Sequence, residues 1–163
     1  MNNYLGPKVG VGVFVLNPDI EDTRFIVAKR ISKDNHGNGL WSLPGGGVDY
    51  KEDPIACAKR EVKEEFGIEI EEPKILIPVP YTNDIMPLSR KGEHYITLFF
   101  VAHMISGQKP EIQEEDGGKK HSEWKWVTPT EFLYEDIDLF SPLDTLCKNI
   151  QVMGFLKGFH GHC

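Results

Sequence analysis

The segment from Gly46 to Ile68 constrains this chain more than any other part of its sequence. Asp53 is a suitable N-cap, the proline that follows fits the first helical position, and Gly67 suits the end of a helix. These signals predict a helix over Pro54 to Phe66. Just upstream, Pro44 to Gly47 reads PGGG, which predicts a sharp backbone turn that side chains would obstruct. A glycine turn therefore leads into a well-delimited helix.

The predicted helix collects three glutamates on one face. At about 100° per residue, Glu61, Glu64 and Glu65 share one arc beside an apolar stripe that faces the core. Like charges at these spacings repel, and the acids lie at the negative end of the helix dipole. A hard divalent cation with oxygen ligands would reverse both costs, which favours a metal site on an exposed acidic arc. The alternative is a solvated acidic face, which most glutamate-rich stretches are.

Two neighbouring residues favour the metal site over the solvated face. Glu52 lies at the mouth of the helix, and Arg60 is interleaved with the acids. Arg60 lies next to Glu64 in helical angle, so it can pair with that carboxylate, fix its orientation and keep it ionised.

This spacing resembles the Nudix box, G-x5-E-x7-R-E-U-x-E-E-x-G-U with U apolar. Gly46, Glu52 and the run Arg60 to Ile68 match it at every defined position. Two departures occur before Glu52, where Asp49 and Lys51 replace the Glu and Gly of many members. The path of that loop and its contacts with substrate are therefore open.

Weaker similarity extends over the rest of the chain. Val9 to Leu16, Trp41 to Gly46 and Glu123 to Val127 resemble segments of MutT-like members. Three segments are most similar to those of the small nucleoside-triphosphate diphosphatases. They are Val9 to Leu16, the strand around His94 to Thr97, and the Trp124-x-Trp126 pair.

The resemblance implies an α/β protein, a Nudix α/β/α sandwich with a mixed β-sheet. We expect residues 1–163 to form a single Nudix hydrolase domain with its box at 46–68. The strand and helix patterns agree with this class, because their order of strands, a helix, strands and then helices suggests a mixed sheet covered by helices on its faces. Strands are expected at Val9 to Leu16, Arg24 to Lys29, Leu40 to Leu43, Lys74 to Pro80, Tyr95 to Ile105 and Glu123 to Val127, and further helices at Pro129 to Leu133 and Pro142 to Met153.

The resemblance also implies a reaction. It is hydrolysis of a nucleoside or deoxynucleoside triphosphate to the monophosphate and pyrophosphate, with Mg²⁺ as cofactor and Mn²⁺ as a substitute. Mg²⁺ would neutralise charge on the leaving pyrophosphate and activate water. The implied metal ligands are the backbone carbonyl of Gly46 and the side chains of Glu61, Glu64 and Glu65.

Catalytic and substrate-binding candidates complete this expectation. The base is either a box glutamate or an acid of the segment Glu111 to Asp116, where Glu114 and Glu115 are the candidates. The catalytic candidates are Arg60, Glu61, Glu64 and Glu115. The substrate-binding candidates are Arg30, Trp41, His94 and Tyr95.

Two rival functions remain open. The group attached to the diphosphate could be a sugar, a second nucleoside or an isoprenoid, because the box recognises only diphosphate and metal. Alternatively, the chain could be a ligand sensor that kept the fold. Such proteins tend to lose box glutamates, and this chain has them all.

Composition limits the partners. With 18 basic and 25 acidic residues the net charge is -7, so no global positive field attracts a nucleic-acid polymer. The longest apolar runs have the length of a strand, and three cysteines without metal-type spacing fit reduced thiols. We expect a cytoplasmic protein without membrane contact whose partner is a small nucleotide. Related small members often pair as homodimers, which keeps a homodimer open.

Overall fold

The computed structural model describes residues 6–32, 37–77, 79–86, 93–114, 118–134 and 137–148. None of the helices among these residues is long and apolar enough to cross a membrane. The elements in chain order are β1 (Lys8–Leu16), β2 (Phe25–Arg30), β3 (Trp41–Ser42), α1 (Pro54–Phe66), β4 (Lys74–Ile75), β5 (Tyr81–Met86), β6 (Glu93–His103), β7 (His121–Val127), α2 (Pro129–Tyr134) and α3 (Ser141–Cys147).

One mixed sheet organises these elements. β1 pairs in parallel with β6 from Lys8↔Tyr95 to Leu16↔His103. β1 meets β2 in antiparallel fashion at Leu16↔Phe25. β3 and β7 pair with β2, whereas β4 and β5 pair with β6. Parallel and antiparallel pairs thus share one sheet, as expected for this fold class.

The alternation of side chains along β1 creates two cores. Val11, Val13 and Val15 point to the face that α1 covers, where they join one apolar cluster with Val62 and Phe66. The intervening residues of β1 point to the opposite face and join a second cluster with α2 and α3. In this second cluster β1 contributes Phe14 and Leu16, α2 contributes Phe132, and α3 contributes Leu143 and Leu146. Helices on both faces of the sheet confirm the α/β/α sandwich.

One predicted strand was misplaced. The strand expected over Lys74 to Pro80 is present only at Lys74–Ile75, and β5 begins at Tyr81 instead. Asn83 and Asp84 obscured β5 because both residue types are depleted in strands. Asp84 is buried and accepts hydrogen bonds from Thr145 (2.7 Å) and Ser141 (3.4 Å), so its polar side chain fastens α3 to the sheet.

The last predicted helix is also shorter than expected within the described chain. The sequence predicted Pro142 to Met153, whereas α3 spans Ser141–Cys147. Residues 149–163 lie outside the described ranges, so the remainder of that prediction is not tested.

Candidate active site

The glycine turn lies alongside the start of β1. The Val11 amide donates to the Gly46 carbonyl (2.8 Å), and the Val13 amide donates to the Pro44 carbonyl (2.9 Å). Because β1 touches β2 only at its far end, the turn fills the place beside β1 that β2 leaves. A Cβ at Gly45 would lie 2.0 Å from the Val11 carbonyl oxygen, so this close approach requires glycine.

Gly46 brings the turn against α1. A Cβ added at Gly46 would lie 2.4 Å from Oε1 of Glu61. The carboxylate therefore occupies the space that any larger residue would need. The Gly46 carbonyl keeps one lone pair beyond its bond from Val11, since a carbonyl oxygen carries two.

The helix has the bounds that the sequence predicted. Asp53 caps it by accepting from the amides of Ile55 (2.8 Å) and Ala56 (3.3 Å). Gly67 ends it in a left-handed conformation with φ 69°. The local signals at both ends therefore determine where the glutamates stand relative to the turn.

The three box glutamates differ in exposure. Glu61 and Glu65 are 4% and 3% exposed, whereas the side chain of Glu64 is 40% exposed. The expected exposed arc was wrong for the first two, because the glycine turn packs directly against them. Because Glu61 and Glu65 are buried, the alternative of a solvated acidic face is excluded for them. Their burial carries a desolvation cost that surface acids avoid.

Arg60 organises the acids around it. Its Nε and Nη2 donate to both oxygens of Glu52 (2.7 and 3.0 Å), and Nη1 donates to Glu61 (2.8 Å) and Glu64 (3.0 Å). The predicted Arg60–Glu64 pair is present. The Arg60 guanidinium, with the Asp49 amide, lowers the pKa of Glu52 to about 2, and Glu52 raises the pKa of Arg60 above its usual range.

The loop before Glu52 has a glycine-like backbone despite its departures from the motif. Lys51 adopts φ 64°, a conformation that glycine takes at least cost. The Asp49 amide donates to Glu52 at 2.9 Å, and the Asp49 side chain is 81% exposed. Neither substitution removes the contacts of Glu52 with Arg60.

Glu65 is the most strongly perturbed acid of the site. Burial raises its pKa to about 8, and the charge of Glu61 adds to the rise. The Gly45 amide donates to it (3.0 Å) and, with Lys120 and Arg30, acts in the opposite direction. A buried carboxylate of this kind gains from a nearby cation.

A cavity of about 210 Å³ opens beside the glycine turn. Gly45 and Gly46 contribute to its wall, together with β1, β6 and the start of α3. Its lining includes the side chains of Arg30, Tyr95, Phe99 and Phe140, of which Phe99 is buried. The Arg30 guanidinium stacks on the Phe140 ring at 4.0 Å, and its buried Nε finds no hydrogen-bond partner among the described residues. Burial lowers the pKa of Arg30.

Comparison with known proteins identifies this arrangement. Residues 6–143 match the NUDIX domain family. The chain belongs to the Nudix family. It is 36% identical over 124 residues to an RNA pyrophosphohydrolase of Pelagibacter ubique, which covers 72% of this chain and 74% of that protein.

Solved structures agree with the family assignment. A MutT NUDIX hydrolase from Burkholderia pseudomallei superposes with a TM-score of 0.60 at 29% identity, over 77% of this chain and 85% of that one. A MutT protein from Methanosarcina mazei Go1 superposes with a TM-score of 0.68 over 96% and 97% of the two chains, and at 19% identity it supports the fold alone. These structures agree with membership of the Nudix hydrolase family.

Two of the four predicted substrate-binding residues line the cavity beside the box. Arg30 and Tyr95 line the cavity. Trp41 lies outside its lining, and the ammonium groups of Lys29 (5.9 Å) and Lys125 (5.2 Å) approach its ring. His94 precedes Tyr95 and points to the opposite face of β6, where it contacts Asn83.

The two candidates for a catalytic base in the segment Glu111 to Asp116 remain untested. Glu115 lies outside the described residues, and Glu114 is exposed. Both stay predictions.

Phe99, Phe140 and Lys120 were missed by the sequence reasoning. Phe99 could have been found, because it follows Tyr95 by four residues on one strand and so shares its face. Phe140 and Lys120 come from segments remote from the box. Lys120 Nζ lies 3.2 Å from Oε2 of Glu61.

The donor set suits a divalent cation, and Nudix hydrolases generally use one. Three carboxylates and a backbone carbonyl are the hard oxygen ligands that Mg²⁺ prefers. Among the described residues no three acidic, His or Cys side chains converge on one point as they stand. Arg60 and Lys120 instead contact Glu61, so the site already balances its acids with positive charge. The residues present fit the metal in the chemistry of their oxygen donors.

Proposed function

We propose that this Nudix hydrolase cleaves nucleoside or deoxynucleoside triphosphates to the monophosphate and pyrophosphate with Mg²⁺. The observation that carries the proposal is the double role of the glycine turn. Gly45 and Gly46 contact the buried carboxylates of Glu65 and Glu61 and also form a wall of the cavity. A ligand with its base in the cavity therefore places its phosphates at the glutamates.

The box residues divide the chemical work. Glu61, Glu64 and Glu65, with the Gly46 carbonyl, are the groups that would hold Mg²⁺. When bound, the cation supplies charge neutralisation for the leaving pyrophosphate and activation of water. Arg60 is the residue that orients Glu61 and Glu64, since it bonds both while Glu52 fixes its guanidinium. Glu64 is the box acid that water reaches most readily and is our first candidate for the base, with Glu115 as the alternative.

The cavity supports a nucleoside as the second half of the substrate. Tyr95 and Phe140 line the cavity and offer aromatic surface to a base, and aromatic stacking contributes about 1–3 kcal/mol per base in known sites. Arg30 lines the same cavity, and its buried Nε has no hydrogen-bond partner among the residues that the structure describes, which suits a phosphate or a base carbonyl.

A second substrate is favoured by a specific observation. The relative from Pelagibacter ubique is named an RNA pyrophosphohydrolase. The triphosphate at the 5′ end of an RNA offers the same phosphoanhydride as a free nucleotide. The net charge of -7 disfavours extended contact with a polymer, so this reading needs only the terminal nucleotide to enter the cavity.

A screen for pyrophosphate release tests the proposal. It compares canonical and oxidised nucleoside triphosphates, a short 5′-triphosphorylated RNA, nucleotide sugars and dinucleotides, with and without Mg²⁺. We expect Mg²⁺-dependent release from the triphosphates and none in Glu61→Gln. Turnover confined to sugars or dinucleotides would promote the rival hydrolase, and binding without turnover would promote the sensor.

Three properties of the whole protein belong to the same proposal. A single domain over 1–163 is supported by a family match that covers residues 6–143. Free thiols at Cys57 and Cys147 support a reducing compartment, and we place the protein in the cytoplasm. A homodimer is the assembly left open by the sequence, and light scattering coupled to size-exclusion chromatography tests it.

A further inference from the structure

Two cationic side chains contact the buried carboxylate of Glu61, and they are held differently. Arg60 is fixed by two hydrogen bonds to Glu52 and a third to the Gly47 carbonyl (3.2 Å). Lys120 directly precedes β7, and its ammonium group contacts Glu61. Its backbone is anchored, because the Ile31 amide donates to the Lys120 carbonyl at 2.8 Å. The ammonium group itself stands on a flexible four-carbon stem.

Glu61 needs positive charge whenever no metal is present. It is 4% exposed, and a buried carboxylate is tolerated only when it is paired. The Lys120 ammonium, 3.2 Å from Oε2, supplies part of that charge. The Lys120 side chain is 41% exposed, so water can solvate the ammonium group if it leaves Glu61.

A divalent cation and the ammonium group compete for the same place. A cation that uses Oε2 of Glu61 would lie within a few ångströms of Lys120 Nζ, where two positive charges repel strongly. Arg60 cannot give way as easily, because leaving Glu61 would also disturb its bonds to Glu52. Lys120 has a partly exposed side chain with rotatable bonds, so its ammonium group can leave Glu61 without disturbing the bonds of Arg60 to Glu52.

We propose that Lys120 is a removable counterion of Glu61, which holds this carboxylate in the metal-free protein and leaves it when a divalent cation binds. The proposal rests on the proposed function, since it takes Glu61 as a metal ligand. It assigns Lys120 as a positioning residue that stabilises the metal-free fold and weakens metal binding. The affinity of the site for its cation is then set by a residue outside the Nudix box.

Lys120→Met and the matched control Lys119→Met test the energetic side. Lys119 is the exposed neighbour of Lys120 and has the same charge. Titration calorimetry with Mn²⁺ alone and Mg²⁺ alone measures binding, and melting in chelator measures the metal-free fold. We expect Lys120→Met to bind Mn²⁺ more tightly, by on the order of fivefold or more, and to melt earlier in chelator. Lys119→Met should stay within about twofold of wild type.

Pulse acetylation of the wild-type protein tests the displacement itself. Mass spectrometry follows the labelling of Lys120 with Lys119 as internal reference. Saturating Mg²⁺ should speed labelling of Lys120 and leave Lys119 unchanged, because the ammonium group loses its buried partner. This measurement decides the matter even where Lys120→Met fails to fold.

The outcomes separate the two proposals. Wild-type protein that binds neither Mn²⁺ nor Mg²⁺ would overturn the metal site and with it the counterion. Wild-type binding with an unchanged or weaker affinity in Lys120→Met, or with unchanged labelling of Lys120, would overturn the counterion alone.

Discussion

The amide nitrogen of Gly45 donates a 3.0 Å hydrogen bond to the buried carboxylate of Glu65. This bond ties the glycine turn to the helix that carries the box acids. It favours the ionised carboxylate, whereas burial and the charge of Glu61 favour the protonated form and raise the pKa to about 8. The metal-free protein therefore holds an acid that ionises at a cost.

Glu65→Gln should abolish most activity without weakening the metal-free fold. The folded pKa of Glu65 is about 8 against 4.5 for an ordinary glutamate, so the folded state binds more protons between these values. Its contribution to stability therefore falls as pH rises from 4.5 to 8. Removing the ionisable group should leave the melting temperature in chelator equal or higher at pH 8 to 9, while kcat falls by orders of magnitude. An early-melting variant with normal turnover would make Glu65 a structural residue.

Glu64→Gln separates catalysis from folding more cleanly, because this side chain is 40% exposed. We expect kcat to fall by orders of magnitude and the melting temperature to stay unchanged. Glu69→Gln is the control. Among the described residues, the Glu69 carboxylate forms one ion pair, an exposed one with Lys63 at 3.3 Å. Equal losses of activity in the two variants would argue against a specific role for Glu64.

Gly46→Ala and Gly47→Ala should behave very differently although they are neighbours. A Cβ at Gly46 would lie 2.4 Å from Glu61 Oε1, whereas a Cβ at Gly47 meets no atom within 4 Å. Gly46→Ala should cost roughly 1–3 kcal/mol in the free energy of unfolding and displace Glu61. Urea unfolding measures the first effect, and Mn²⁺ affinity measures the second. Similar values for the two variants would contradict the packing of Glu61 against the turn.

The helix could be predicted to the residue because its determinants are local. Asp53 and Gly67 act through backbone groups one to four residues away, so the sequence contains the whole signal. The Arg60–Glu64 pair was predictable for the same reason, as a contact between successive turns.

Burial and remote contacts could not be predicted in this way. Glu61 is buried by Gly46, fifteen residues earlier, and paired by Lys120, which arrives from another segment. β5 was missed because Asp84 is stabilised by Thr145 of α3, a tertiary contact that overrides strand propensity. Such features depend on which elements pack together.

The buried His121 should lower the free energy of unfolding in mild acid. It is 3% exposed, stacks on Phe66 at 5.6 Å, and has its pKa lowered to about 4, mainly by burial. The unfolded chain takes up this proton near pH 6.5, so the contribution of His121 is complete above that pH and is lost as pH falls to 4. Between these pH values the free energy of unfolding falls by at most about 1.4 kcal/mol per pH unit because of His121.

His121→Phe removes this titration and keeps a flat ring beside Phe66. Urea unfolding at pH 5 and pH 7 should show a smaller loss of stability at pH 5 in this variant than in wild type. The partly exposed His103 supplies the control variant His103→Asn, which should keep the wild-type difference. An unchanged pH dependence in His121→Phe would mean that His121 is not buried neutral.

The place where the substrate breaks follows from the position of the box acids. Three glutamates on one helix can hold cations that clamp a pyrophosphate, whereas a single terminal phosphate would need fewer contacts. Water should therefore attack on the nucleoside side of the bridge, and pyrophosphate should leave as one unit.

Hydrolysis in ¹⁸O-water measures this outcome directly. We expect one pyrophosphate per turnover and no early orthophosphate. Label in the monophosphate indicates attack at the phosphorus nearer the nucleoside, and label in pyrophosphate indicates attack at the next one. Orthophosphate with nucleoside diphosphate as the first products would contradict the diphosphatase reading, because the cations at Glu61, Glu64 and Glu65 would then hold the wrong leaving group.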